Sequence, residues 1–240
     1  MNFRRCLELY FMLSTLVIRP VSCFFTTPTT IHRSSASSFL VRTTTSLAMT
    51  KVLVPIAHGS EEIETSCIQD TLVRFGADVT VASVNPDGEL LCKMSRGLLV
   101  QAHKSIAEAA KDAPYDLIVL PGGMPGAEHL RDSIDLQTLL KQQVTDGRMY
   151  GAVCAAPAVV LASQGFIPFD DASCKVTSFP VAKFRDLLQT AASDDRVVVH
   201  NNMITSQGPG TSLELALALG EKLFGKEKRD EIAKQLLVKE

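Results

Sequence analysis

The chain has 240 residues, of which 46% are hydrophobic and 21% charged, with a formal net charge of −2. That balance provides apolar surface for a packed core and excludes the strongly basic field that favours nucleic acid or an anionic membrane. Its six cysteines (Cys6, Cys23, Cys67, Cys92, Cys154 and Cys174) show neither C-x-x-C spacing nor paired histidines. No zinc site, disulfide framework or cofactor is therefore expected, and the thiols suit a reducing compartment.

The N-terminal segment reads as an address. Arg4 and Arg5 precede a short apolar run from Leu9 to Ile18, followed by Val21-Ser22-Cys23 and Phe24. The run suits a signal-peptide core and is too short to span a bilayer comfortably. From Phe24 to Ala48 the chain is rich in Ser and Thr with Arg33 and Arg42, and no acidic residue falls between Glu8 and Glu61. Residues 1–48 are thus expected to be a disordered or cleaved leader and 49–240 a single domain, with no membrane segment in the mature form. The leader resembles the bipartite signal-plus-transit type of secondary plastids. A mitochondrial or secretory address is the alternative, and starting at Met49 would leave the domain in the cytosol.

The domain opens with Lys51–Ala57, a nearly all-apolar run that predicts a buried parallel strand. Ser60 is expected to cap a helix with Glu61 and Glu62 in its first turn and Ile63, Cys67, Ile68, Leu72 and Phe75 on its core face. A strand over Asp78–Val84 follows, then a turn at Asn85–Gly88 and an irregular hairpin over Glu89–Ala102 crossing the sheet edge. Asp116–Leu120 reads as a strand ending in Pro121-Gly122-Gly123, and Ser133–Asp146 as a helix stopped by Gly147. Met149–Val153 predicts a strand running directly into a helix over Ala155–Ser163. Short strands are expected at Cys174–Thr177 and over Arg196–Thr205, the latter a hairpin turning at Asn201-Asn202. Thr211 and Glu214 have capping-box spacing before a helix to Phe224, and Glu227–Leu237 closes the chain as a charged helix. Alternating strands and helices predict an α/β doubly wound, mostly parallel sheet with helices on both faces.

Three features fall at the carboxyl ends of strands, where such sheets bind ligands. Gly151-Ala-Val-Cys154-Ala-Ala-Pro157 has the form of a nucleophile elbow carrying cysteine, with small neighbours for the sharp turn. The helix N-terminus there would favour a thiolate at Cys154. Glu64 lies four residues before Ile68 and eight before Leu72, so it points with the apolar stripe. A carboxyl in that position must be protonated or paired. The Gly122-Gly123 turn can aim backbone N–H groups at developing negative charge.

These motifs, with Gly59-Ser-Glu-Glu-Ile-Glu-Thr65, Lys175-Val-Thr177 and Thr205-Ser-Gln-Gly-Pro-Gly-Thr-Ser212, resemble the DJ-1/PfpI superfamily over Thr50–Lys239. The resemblance implies a flavodoxin-like fold and a homodimer. It makes Cys154 the oxidation-sensitive nucleophile and Glu64 the protonated carboxyl beside it, with Gly123 and Ala155 N–H groups as the oxyanion-binding pair. The implied activity is a cofactor-independent deglycase or glyoxalase acting on small dicarbonyls or glycated protein or nucleotide, in defence against carbonyl and oxidative stress. The alternative is a redox sensor or chaperone working through oxidation of Cys154. Two positions depart from the pattern: Phe179 stands where a histidine is expected near the cysteine, and Gln207 where an arginine is. His58, before Gly59, is the remaining candidate for an accessory histidine, while His103, His129 and His200 lie in peripheral segments.

Overall fold

The computed structural model describes residues 49–239, so the leader expected over 1–48 lies outside the described residues. Seven strands form one sheet. They are β1 (Lys51–Ile56), β2 (Asp78–Ser83), β5 (Lys104–Ser105), β6 (Leu117–Leu120), β7 (Met149–Val153), β8 (Val197–His200) and β9 (Met203–Ser206). Their spatial order is β5-β2-β1-β6-β7-β9-β8, with every pairing parallel except β8 with β9. A separate antiparallel pair, β3 (Leu91–Lys93) and β4 (Leu99–Gln101), forms the predicted hairpin as its own two-stranded sheet.

Side chains alternate along each strand, so an all-apolar strand can supply two cores. Val52, Val54 and Ile56 face one core, together with Ile68 and Leu72 of α1 (Glu62–Phe75) and Leu215 and Leu219 of α6 (Ser212–Phe224). Leu53 and Leu120 face the other, with Leu130 of α3 (Gly126–Asp132) and Leu136 and Leu140 of α4 (Ile134–Thr145). Burying one such side chain is worth about 1.5–3 kcal/mol. The two cores therefore hold the sheet in one register, since slipping a strand by one residue would exchange its two faces. The remaining helices are α2 (Ile106–Ala109), α5 (Ala182–Leu188) and α7 (Lys226–Gln235).

Local chemistry revises several expectations. The cap of α1 is Glu61, whose carboxylate accepts from the Glu64 N–H, while Ser60 Oγ accepts from the Ala57 N–H at 3.0 Å. Ile63 is 52% exposed and off the core face, and Cys67 is only half buried. Five residues separate Ile63 from Ile68, which turns it away from the stripe at about 100° per residue. Pro157–Ala162 forms a π-helical turn, and Cys174–Thr177 contributes a single bridge, Val176 with Ala192, in place of a strand. Thr211 makes no capping bond. Its Oγ1 is engaged with Gly208 and Ser206, and Glu214 pairs with Arg196. The turn at Asn201-Asn202 forms as expected, with Asn201 at φ 54°.

Candidate active site

Strand β1 has β2 on one side and β6 on the other, so the chain winds away from it in both directions. The crevice at the carboxyl ends of such a pair is where open α/β sheets take ligands. β7 lies next to β6. The segments after β1, β6 and β7 therefore meet side by side, although residues 64 and 154 are far apart in the chain.

After β7 the chain turns at Cys154 with φ 63°, a left-handed conformation that a side chain adopts at a cost. Neighbouring backbone holds it there. The Cys154 N–H donates to Ser206 O at 3.0 Å, and the Cys154 carbonyl accepts from Phe179 N–H at 2.8 Å. The turn after β6 packs directly against this elbow. A Cβ on Gly122 would lie 2.6 Å from Cys154 Cβ and 2.9 Å from Ala155 N, so only glycine allows the approach. Gly123 sits at φ 83°, where a Cβ would run into Gly59 O. The backbone N–H groups of Gly123 and Ala155 reach the Cys154 sulfur and favour its charged form.

Glu64 is fully buried in the first turn of α1. Its own N–H donates to Glu61 Oε2 at 2.8 Å, and Gly122 N–H donates to Glu64 Oε2 at 2.7 Å. The Gly122 carbonyl in turn accepts from Glu61 N–H at 3.0 Å, locking the turn onto the helix. Glu64 Oε1 has no hydrogen-bond partner of ordinary geometry, and the Cys154 side chain lies close enough to interact with the carboxyl. Burial pushes the Glu64 carboxyl up to about 7, with Gly122 N–H acting the other way and the Glu61 charge adding to the rise. A carboxyl that holds its proton near neutrality can move one.

Burial also governs the thiol. Together with the charge on Glu64 it pushes Cys154 up to about 12, against the pull of the Gly123 and Ala155 N–H groups. Withdrawal of the sulfur from water thus opposes the pull towards thiolate expected from the helix N-terminus. Cys154 and Glu64 interact directly and shift each other's acidity, so the two titrate as a coupled pair.

A cavity of about 320 Å³ opens onto Cys154, with Gly123 and Ala155 beside it in the wall and Glu64 buried behind. Met124, Phe179, Val181, Phe184 and Pro209 make its apolar surface, and Glu61, Ser95, Arg96 and Lys183 its polar one. Ser95 and Arg96 come from the tip between β3 and β4. That tip is tied to α1 by Ser95 N–H to Ser60 O at 2.8 Å and by Ser95 Oγ to Glu62 Oε2 at 2.8 Å. Nothing local in Ser95-Arg96-Gly97 signals this placement. His58 does not line the cavity: its Nε2 lies 3.1 Å from Glu89 Oε2, and its Nδ1 accepts from Lys93 N–H at 3.0 Å. Gln207 donates to Asp194 O at 2.8 Å. Among the described residues there is no cluster of His, Cys, Asp or Glu able to hold a metal, and no helix is long and apolar enough to cross a membrane.

Residues 50–222 match the model of the DJ-1/PfpI family, and the chain belongs to that family. It is 38% identical over 208 residues to Protein DJ-1 homolog B of Arabidopsis thaliana. That match covers 86% of this chain but only 46% of the plant protein, so the chain spans about half the length of that relative. It is 35% identical over 188 residues to the Caenorhabditis elegans protein named Glutathione-independent glyoxalase DJR-1.2, covering 77% of this chain and 94% of the relative. Among solved structures, oxidized DJ-1 of Toxoplasma gondii is 46% identical, with a TM-score of 0.73 over 78% of this chain and 98% of the other.

Proposed function

We propose that this member of the DJ-1/PfpI family is a cysteine-dependent, cofactor-independent enzyme that converts 2-oxoaldehydes, or their adducts on protein or nucleotide, to 2-hydroxy acids. The observation that carries the reading is the buried Glu64 carboxyl, with Oε1 unpartnered, beside a cysteine held at φ 63°. The name of the nematode relative supports the same class of reaction.

In this reading Cys154 Sγ adds to the aldehyde carbon of methylglyoxal while its proton passes to Glu64. The new alkoxide lies against the Gly123 and Ala155 N–H groups. Glu64 returns that proton to the alkoxide, giving the hemithioacetal, and then, as carboxylate, takes the proton of the former aldehyde carbon and delivers it to the neighbouring carbon through an enediol, leaving the thioester of lactic acid on Cys154. Water cleaves that thioester and restores the thiol, so the sum is methylglyoxal plus water to lactate. A preorganised pair of N–H donors suits this chemistry because charge develops on one oxygen in both the addition and the hydrolysis. We place the working form as a homodimer with a plastid address, a compartment whose triose phosphates generate methylglyoxal. Lactate formation from methylglyoxal by the full chain tests the reading: it is expected to vanish in Cys154→Ser, and wild-type protein forming none would refute it.

A second reading is favoured by Phe179 standing where the family's histidine is expected. There Cys154 is oxidised by two equivalents of peroxide to the sulfinic acid, whose oxygens take the Glu64 proton and the two N–H donors, and partner binding changes. Mass spectrometry after graded peroxide distinguishes the two, since selective Cys154 sulfinate without turnover supports the sensor.

A further inference from the structure

We infer that Phe179, with Met124 and Val181, forms a subsite for an apolar or aryl group next to the reacting carbonyl. The preferred substrates are then 2-oxoaldehydes or adducts bearing such a group, rather than glyoxal. This rests on the chemistry proposed for Cys154 and assigns its substrate class.

The cavity is far larger than a small dicarbonyl needs: about 320 Å³ corresponds to roughly ten waters at about 30 Å³ each. Phe179 remains 40% exposed and Met124 38% exposed, and both line the open space beside the Cys154 sulfur. Phe179 is not a loose surface ring. Its N–H donates to the Cys154 carbonyl at 2.8 Å, and its own carbonyl accepts from Val181 N–H at 2.8 Å. The backbone that fixes the elbow therefore also fixes where the ring starts.

The ring rests on Gly208. That residue has φ 167°, extended backbone open to any amino acid, yet a Cβ there would stand 3.3 Å from Phe179 Cδ2. What glycine contributes at 208 is room for the ring. Phe179 also lines a neighbouring cavity of about 180 Å³, and with Pro209 it is shared by the walls of the two. When the carbonyl carbon is bonded to sulfur and its oxygen faces Gly123 and Ala155, the substituent must fill the rest of the cavity. The apolar surface it meets there gains by excluding water.

The test uses reagents that report the subsite without turnover. Full-chain protein is alkylated at Cys154 with iodoacetamide or N-phenyl iodoacetamide, each displacing iodide to form a thioether. Rates are read by peptide mass and divided by the same reagents' rates with glutathione. Wild type is expected to favour the phenyl reagent about ten-fold, in the range a filled apolar pocket provides. Phe179→Ala should lower that ratio to about three-fold or less, and Phe179→Leu should keep most of it. Gly208→Ala, which presses on the ring without altering it, should lower the ratio as well. Equal ratios in wild type and both Ala variants overturn the inference. Phenyl preference without lactate formation sustains the subsite and removes the proposed reaction, whereas lactate formation without phenyl preference does the reverse.

Discussion

Cys154 and Cys92 are both thiols withdrawn from water, and burial pushes both of them up. Cys92 lies in β3, its sulfur accepting from Asn85 Nδ2 at 3.3 Å and lying 3.6 Å from Ser83 Oγ. Those partners are neutral and leave the thiol satisfied and closed off. Cys154 stands on a left-handed turn, faces a cavity and shares its surroundings with a carboxyl that titrates near 7. Burial alone therefore does not distinguish the two thiols. A carboxyl within hydrogen-bond reach and an open approach do.

The largest effect expected from breaking this contrast is on turnover. Cys154→Ser should lower lactate formation at least about a thousand-fold, while Cys92→Ala should leave the rate per folded molecule within about two-fold. Initial rates normalised to the folded fraction decide it, and a comparable loss at Cys92 would erase the distinction. Next, Glu64→Gln keeps an oxygen for the Gly122 N–H but cannot take a proton, so the rate should fall about 10²–10⁴-fold. Alkylation of Cys154 in this variant should lose any rise in rate with pH near 7.

The buried carboxyl should also appear in stability. Its folded value, about 7, lies above its ordinary 4.5, so the unfolded state releases this proton first and stability falls as pH rises. The contribution is full below about 4.5, declines between 4.5 and 7 and is lost above. A shift of that size corresponds to up to about 3 kcal/mol. Urea unfolding across this window should show the decline in wild type and its absence in Glu64→Gln. The smallest expected effect is at Gly122→Ala, where the added Cβ meets Cys154 Cβ at 2.6 Å. Overpacking of this kind costs about 1–3 kcal/mol. Denaturation midpoints would measure it, and an unchanged midpoint would show that the elbow yields more easily than its contacts imply.

What the sequence made legible was mostly local. Glu64 could be placed inward because four residues bring a helix nearly back onto the same face, and Ile63 was misplaced because five do not. The small residues around Cys154 announced the elbow, since a sharp turn cannot accommodate large ones. The polarity of the thiol was not legible, because a helix dipole is a local property and burial is not. The Gly122 N–H reaching Glu64 spans 58 positions, and the Ser95–Arg96 tip is carried to the cavity by hydrogen bonds to α1. The capping box expected at Thr211 fails for the same reason: Thr211 and Glu214 had the spacing, but Ser206, Gly208 and Arg196 offered better partners.

The adjacency of β1, β6 and β7 also has a consequence for the order of assembly. Parallel neighbours are joined by long crossovers, and such non-local pairings close late. An unfolded chain carries Glu64 and Cys154 as two unrelated side chains with ordinary acidities. The contact between them comes into being only once all three strands are seated. The environment that pushes the Glu64 carboxyl up to about 7 is thus a property of the folded sheet and of no shorter piece of it.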